Sequence, residues 1–292
     1  MTDVDAPCNM EHPELIVSVV FPCLNEAETL GACIRHAQAA LAAHHIEGEI
    51  LVADNGSSDG SQAICRVHQV RLIDVKRCGY GHALRAGIEA SVGRFVVIAD
   101  CDGSYALEDI PTVLRKLEAG YDLVVGNRFL GGIANGAMPW KNRYLGNPAL
   151  STIGRMLFGS PIGDFQCGLR GFRRTAFNQM GLQSGGMEFA TETIIKATRK
   201  GMRIAEIPTT LKQAGRSRAP HLRPWRDGLR HLRLMLSHAI SDDNLSPLLC
   251  SVVGEKMGSP CPHAYAWRLS RVLCSVVGRD DGSAGLSVLL IG

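Results

Sequence analysis

The stretch FVVIADCDGSYALEDI, residues 95–110, ends an apolar run in two carboxylates, Asp100 and Asp102, separated by one residue. Two acidic side chains on either side of a turn can share one hard cation, and oxygen ligands suit Mg2+ or Mn2+. Mg2+ takes one or two protein carboxylates and completes its shell with phosphate oxygens and water, so the pair points to a metal that carries a diphosphate. Alone the spacing is a weak signal. The same residues can form an Asx-turn in which Asp102 caps the helix that follows. A second acidic pair, Glu188 and Glu192, has the i,i+4 spacing that puts both carboxylates on one helical face. It reads as a solvated or loop-binding face in preference to a second metal site. Ten cysteines are scattered without C-x-x-C spacing and there is no H-E-x-x-H, so neither a zinc site nor a disulfide framework is expected, and a reducing compartment is.

Strand and helix signals alternate ahead of and behind the acidic pair. Apolar runs at 15–22, 49–54, 70–75, 94–100 and 121–129 read as strands, and 27–45, 61–69, 81–93 and 107–120 as helices, with Pro111 tolerable in a first turn. Most of these strands are too apolar to be half-exposed, which indicates a mostly parallel sheet covered on both faces by helices. Ligands bind such sheets beyond the carboxyl ends of the strands. Asn25 and Glu26, Asp54, Asp100 and Asp102, and Asn127 and Arg128 all fall at those ends. From about residue 130 the pattern loosens into a Gly/Asn-rich loop. A helix is expected at 151–159, a turn-rich stretch at 162–174, a helix at 187–201 and a strand at 202–211. Residues 213–236 are arginine-rich, and from Pro224 the spacing is that of an amphipathic helix with Trp225, Leu229, Leu232 and Leu236 near one face.

The 292 residues suffice for a sizeable core, and a net charge of +3 gives no argument for nucleic acid. The acidic, polar N-terminus is not a signal peptide, and no apolar run reaches the roughly 18 residues of a spanning helix. No G-x-G-x-x-G follows the first strand, which counts against a dinucleotide oxidoreductase.

The blocks VSVVFPCLNEAETL (17–30), VADNGSSDGS (52–61), RCGYGHALRAG (77–87), VIADCDGSY (97–105), DLVVGNRF (122–129), GDFQCGLRGFRR (163–174) and EIPTTLKQAGRSR (206–218), in this order, resemble family-2 glycosyltransferases of the GT-A fold, and among them the polyprenyl- or dolichyl-phosphate sugar synthases. The resemblance covers roughly residues 15–236 and implies an α/β, Rossmann-like sheet. It implies that Pro22, Leu24 and Glu26 line a nucleotide pocket, that Asp54 hydrogen-bonds the base, and that Asp100 and Asp102 hold Mg2+ or Mn2+ on the donor diphosphate. Arg128 and Arg143 would face phosphates. Gln166, Gly168 and Arg170 would lie near sugar and acceptor. Lys212, Arg216 and Arg218 would form a flexible basic loop closing on the acceptor.

An acceptor hydroxyl needs a carboxylate base, for which Asp164 is the candidate, whereas an acceptor phosphate is already ionised and needs cations to hold it. The arginines after position 128 favour a lipid phosphate. The implied activity is an inverting hexosyl transfer from a nucleotide sugar of the GDP-mannose or UDP-glucose type to a polyprenyl or dolichyl phosphate, at the cytoplasmic face of a membrane. Three positions depart from the family pattern: Asn55 replaces a second acid, Ser104 stands where some members have glutamine, and Lys212 stands where arginine is common. The rival readings are a glycan or other hydroxyl acceptor, a nucleotidyltransferase, and a scaffold without catalysis.

The expected organisation is a tail (1–14), the glycosyltransferase domain (15–212), a basic loop and amphipathic helix (213–240), of which 216–236 suits an anionic membrane surface or ordinary packing, and an atypical tail (241–292). The tail repeats LCSVVG at 249–254 and 273–278 and is expected to be poorly ordered.

Overall fold

The computed structural model describes residues 15–218 and 224–240; the expected tails at 1–14 and 241–292 lie outside the described residues. Residues up to Met235 belong to one compact unit, and of the second, beginning at Leu236, only a helix end is described. In chain order the elements are β1 (Val17–Cys23), α1 (Ala27–Ala43), β2 (Gly48–Asp54), α2 (Ser61–Val67), β3 (Arg71–Asp74), α3 (Tyr80–Ala90), β4 (Phe95–Ile98), a 3-10 turn (Leu107–Asp109) running into α4 (Ile110–Glu118), β5 (Leu123–Asn127), α5 (Arg128–Gly131), a π-helical turn (Asn142–Gly146) running into α6 (Asn147–Phe158), β6 (Arg170–Arg173), α7 (Arg174–Met180), α8 (Phe189–Arg199), β7 (Ile204–Pro208) and α9 (Pro224–Ile240).

The strands form one sheet in the order β3-β2-β1-β4-β6-β5-β7. β1 pairs in parallel with β2 and β4, β2 with β3, and β5 with β7. The expected mostly parallel sheet is thus present, and burial explains why its sequence reads as continuous apolar runs: β4 and β5 are buried at every position, while the edge strands β3 and β7 are largely half-exposed. On α1, Leu30, Cys33, Ile34, Ala37 and Leu41 repeat at helical spacing and face the core.

One expectation is corrected. The stretch 162–174 is not only turns: it contains β6, antiparallel to both β4 and β5. Four residues reading Arg-Gly-Phe-Arg carry no alternation long enough to announce a strand. On α9 the inward positions are Asp227, His231 and Met235, while Trp225 and Leu229 are exposed. His231 Nδ1 lies 2.7 Å from the hydroxyl of buried Thr191, a polar contact on the inward face.

β6 also explains how a later loop reaches the site. Strands β1, β2, β4 and β5 end at one edge of the sheet. Because β6 runs the other way, the turn that precedes it, residues 163–169, lies at that same edge.

Candidate active site

Beyond β4 the chain turns sharply through Asp100, Cys101, Asp102 and Gly103, with φ +79° at Gly103. Asp102 Oδ1 accepts from the Ser104 amide at 2.9 Å, so the Asx-turn is real, but Asp102 caps no helix and its Oδ2 is turned to Arg216 Nη2 at 3.2 Å. Asp100 Oδ1 accepts from the Tyr80 hydroxyl at 2.8 Å. Burial, with the charge of Asp102 adding to it, pushes the Asp100 carboxyl up to about 6. Asp100 Oδ2 faces Gly168, where a β-carbon would come within 2.7 Å of it. Glycine is required there by this close approach, and the Gly168 amide is fixed by the Tyr105 hydroxyl at 2.7 Å.

The loops after β1 and β2 are tied together. The Asn25 amide donates to Ser57 Oγ at 2.7 Å, the Ser58 amide to Asn25 Oδ1 at 2.7 Å, the Glu26 amide to Ser61 Oγ at 3.0 Å and the Ala27 amide to Asp59 Oδ2 at 2.9 Å. Asn25 adopts φ +56°, a conformation that asparagine tolerates. Pro22 and Leu24 are half-buried in this region. Asp54 is buried, and its carboxylate accepts from the Ser57 amide and from Gln62 Nε2 at 2.7 Å. Asn55, the departure from the family pattern, holds the next loop. Its side chain donates to the carbonyls of Val75 and Arg77 and accepts from the Gly79 amide at 2.6 Å.

The basic loop does not stand open toward an acceptor. The Lys212 amide donates to the Ser104 carbonyl at 2.7 Å and the Gly215 amide to the Asp102 carbonyl at 2.8 Å. Arg216 Nη1 and Arg218 Nη2 reach Glu26 Oε1 at 2.7 and 2.8 Å, Arg218 also donates to the Leu24 carbonyl, and Ser217 bonds Glu28. The physical reason is charge: the loop's arginines neutralise the buried carboxylates Glu26 and Asp102. The Lys212 ammonium is exposed, 3.9 Å from Glu108.

Arg128 and Asp164 form a buried bidentate pair, with Nε to Oδ2 and Nη2 to Oδ1 both 2.7 Å. Asp164 is fully buried and also accepts from the Arg128 and Gln166 amides. The candidate base is therefore taken up by the arginine, and Arg128 keeps only Nη1 free of bonds to the described residues. Glu206 on β7, which nothing in the sequence singled out, braces this corner by accepting from the Gly163 and Asp164 amides and from Asn127 Nδ2. Gln166 Oε1 accepts from Ser151 at 3.3 Å, while its Nε2 is buried without a partner.

Arg170 is corrected outright. Its guanidinium is fully buried and donates to the carbonyls of Cys167, Ala190 and Phe165, so it fastens the turn to α8 and faces no ligand. Arg143 lies on the π-helical turn with its guanidinium 5.4 Å over the Tyr144 ring. Glu192 is a loop-binding carboxylate as expected, accepting from the Gln183 and Ser184 amides and pairing with Lys196. Tyr80 was missed because a lone tyrosine between two glycines carries no motif of its own.

Among the described residues no three His, Cys, Asp or Glu side chains converge as a metal cage. The donor set of Asp100 and Asp102 still fits a hard divalent ion: each keeps one oxygen outside its local bonds, and the Arg216 guanidinium sits on Asp102 where positive charge is called for. Two carboxylates leave most of a six-oxygen shell to phosphate and water.

Residues 18–181 match the family model described as glycosyl transferase family 2. The low-salt glycan biosynthesis hexosyltransferase Agl6 of Haloferax volcanii is 35% identical over 76% of this chain, which spans only 54% of that protein's length. The polyprenol monophosphomannose synthase of Mycolicibacterium smegmatis is 30% identical, over 67% of this chain and 77% of its own. Among solved structures, glucosyl-3-phosphoglycerate synthase from Mycobacterium tuberculosis, with phosphoglyceric acid, superposes with a TM-score of 0.60 at 21% identity, covering 78% of this chain and 81% of the other. The same enzyme with Mn2+, uridine diphosphate and glucosyl-3-phosphoglycerate gives 0.59. That likeness shows the GT-A fold. With the sheet, the acidic turn and the arginine-bearing loops in place, the chain belongs to glycosyl transferase family 2.

Proposed function

We propose that this glycosyltransferase moves a hexose, with inversion, from a nucleotide sugar to a polyprenyl or dolichyl phosphate at the cytoplasmic face of a membrane. The observation that carries the choice of acceptor is the Arg128–Asp164 pair. A hydroxyl acceptor needs a base, and Asp164 has both oxygens held by a guanidinium. A phosphate acceptor arrives ionised and needs cations in line with the anomeric carbon. Arg128 Nη1 and the guanidinium groups of Arg216 and Arg218 supply them. The names of two relatives agree with this reading, the polyprenol monophosphomannose synthase and a dolichyl-phosphate hexose transferase of Haloferax volcanii.

On this reading Asp100 and Asp102 hold Mg2+ or Mn2+ against the donor diphosphate. When bound, the ion neutralises charge developing on the leaving group. Tyr80 orients Asp100, and the Asx-turn orients Asp102. Pro22, Leu24 and the loop held by Asn55 wall the nucleotide, Gly168 lets the 163–169 turn approach, and the unpartnered Gln166 Nε2 offers a donor to a sugar hydroxyl. Arg216 and Arg218 exchange their carboxylate partners for phosphate oxygens when substrates enter.

The test is transfer from GDP-mannose and UDP-glucose, with Mn2+, to detergent-solubilised polyprenyl phosphate, polyprenol and a free glycan. Transfer to the phosphate alone, lost in Asp102→Ala, is expected. Transfer to polyprenol or the glycan with no use of the phosphate would overturn the acceptor assignment and return Asp164 to consideration as a base.

A further inference from the structure

Between Asp122 and Asp164 the chain has no acidic residue, yet it carries Arg128, Lys141, Arg143 and Arg155. Arg128 is paired with Asp164; the other three make no ion pair among the described residues. The same stretch exposes Leu130 (67%), Trp140 (63%), Tyr144 (64%), Leu145 (59%) and Met156 (81%). Core packing does not account for them. The π-helical turn has no buried residue, and α6 has only Ser151 and Gly154. α6 rests by this narrow edge on the 163–169 turn: Ser151 accepts from the Phe165 amide at 3.1 Å, and a β-carbon at Gly154 would come within 2.5 Å of the Phe165 ring. Leu150, Ile153, Leu157 and Phe158 fill the inward side. Met156 on α6, Tyr144 and Leu145 on the π-helical turn, Trp140 just before it and Leu130 on α5 leave apolar surface that packing within the described residues does not cover.

The inward edge of α6 reaches the site. Ser151 bonds Gln166, Gln166 is two residues from Gly168, and Gly168 lies against Asp100. α5, with exposed Leu130, is fastened at the same turn, because Arg128 is held by Asp164, the neighbour of Phe165.

We propose that the π-helical turn, α6 and the exposed end of α5 form a docking face for an anionic lipid bilayer. Trp and Tyr suit the headgroup level, apolar side chains enter the acyl boundary, and lysine and arginine meet anionic headgroups. A second copy of the chain fits less well, since a two-fold contact would bring each patch of unpaired cations against the same cations. The proposal rests on the reading of a lipid-phosphate acceptor and adds how that acceptor is delivered, with its phosphate at the bilayer surface beside Gln166. The surface differs from the arginine-rich segment 216–236 that the sequence suggested.

The experiment is co-sedimentation of the full chain with vesicles of phosphatidylcholine, with or without phosphatidylglycerol. Two variants, W140S/L145S/M156S and K141E/R155E, are compared after circular dichroism has shown them folded. Partition onto anionic vesicles is expected to exceed that onto neutral ones by about tenfold, and each variant to lose about tenfold, with metal-dependent donor binding retained. Equal partition on both vesicles, no binding by the full chain, or binding by both variants equal to the parent would overturn the proposal. So would a concentration-dependent dimer that W140S/L145S/M156S abolishes in the absence of vesicle binding. If vesicles bind as expected but detergent-solubilised polyprenyl phosphate accepts no sugar, the docking face stands and the acceptor reading falls.

Discussion

Arg170 and Gly168 stand two residues apart in one sequence block and have opposite duties. Arg170 donates to three buried carbonyls, so Arg170→Met is expected to destabilise the fold by about 3 kcal/mol or more, each orphaned acceptor costing on the order of 1 kcal/mol. Urea titration measures this, and donor affinity of the folded fraction should be unchanged. Gly168→Ala is expected to do the reverse. Its methyl would press on Asp100 Oδ2, weakening Mn2+-dependent nucleotide binding severalfold by calorimetry while the unfolding midpoint moves little. Arg216→Gln tests the loop's neutralising role. Removing the cation from Asp102 should tighten Mn2+ binding in the absence of nucleotide, read by paramagnetic resonance of the free ion. At this scale the sequence was informative about Asp100, Asp102, Glu26 and Arg128, whose types and strand-end positions announce them. It was uninformative about Arg170, because whether a polar side chain faces a ligand or a backbone carbonyl is set by contacts distant along the chain.

Among the elements, α9 docks by a face other than the one its leucines mark. Leucine spacing marks one face, but the face that docks carries Asp227, His231 and Met235. Burial holds the His231 imidazole down at about 4, below its ordinary 6.5. A depressed histidine is stabilising while neutral in both states, so its contribution is complete above about pH 6.5 and is lost as pH falls toward 4. The full loss is about 3 kcal/mol. Thermal unfolding between pH 7 and pH 4 should show this decline, and His231→Gln should flatten it. The alternating strands and helices up to β5 were legible because each is bounded by turn residues and the strands are buried on both faces. β6 was not, since a four-residue strand gains its identity from the two neighbours it joins.

For the molecule as a whole, the sheet edge gathers loops from all three thirds of the described chain: Glu26 meets Arg216 and Arg218, and Asp102 meets Arg216. Binding of a metal-borne diphosphate there should stabilise the entire sheet-bearing unit. With Mn2+ and the correct nucleoside diphosphate at about a hundred times Kd, linkage contributes about 3 kcal/mol, a rise of about 5–10 °C in Tm. Scanning fluorimetry with UDP and GDP reads this, and a rise without Mn2+, or one that persists in Asp102→Ala, would count against the acidic pair as the diphosphate site. The fold class was legible from the ordered blocks. The closure of the basic loop was not, because it depends on carboxylates nearly two hundred positions away, Glu26 and Arg216 being 190 apart.

The reversed strand β6 has one more consequence. It lies between β4 and β5 and hydrogen-bonds to both, so every path through the sheet from the β1–β4 side to the β5–β7 side crosses these four residues. The sheet can part on either side of β6 by losing one ladder, but β6 itself is freed only when both ladders open. Amide protons at Arg170–Arg173 are therefore expected to be among the last to exchange with deuterated solvent, opening only when the whole sheet opens, while those of the edge strand β3 exchange early.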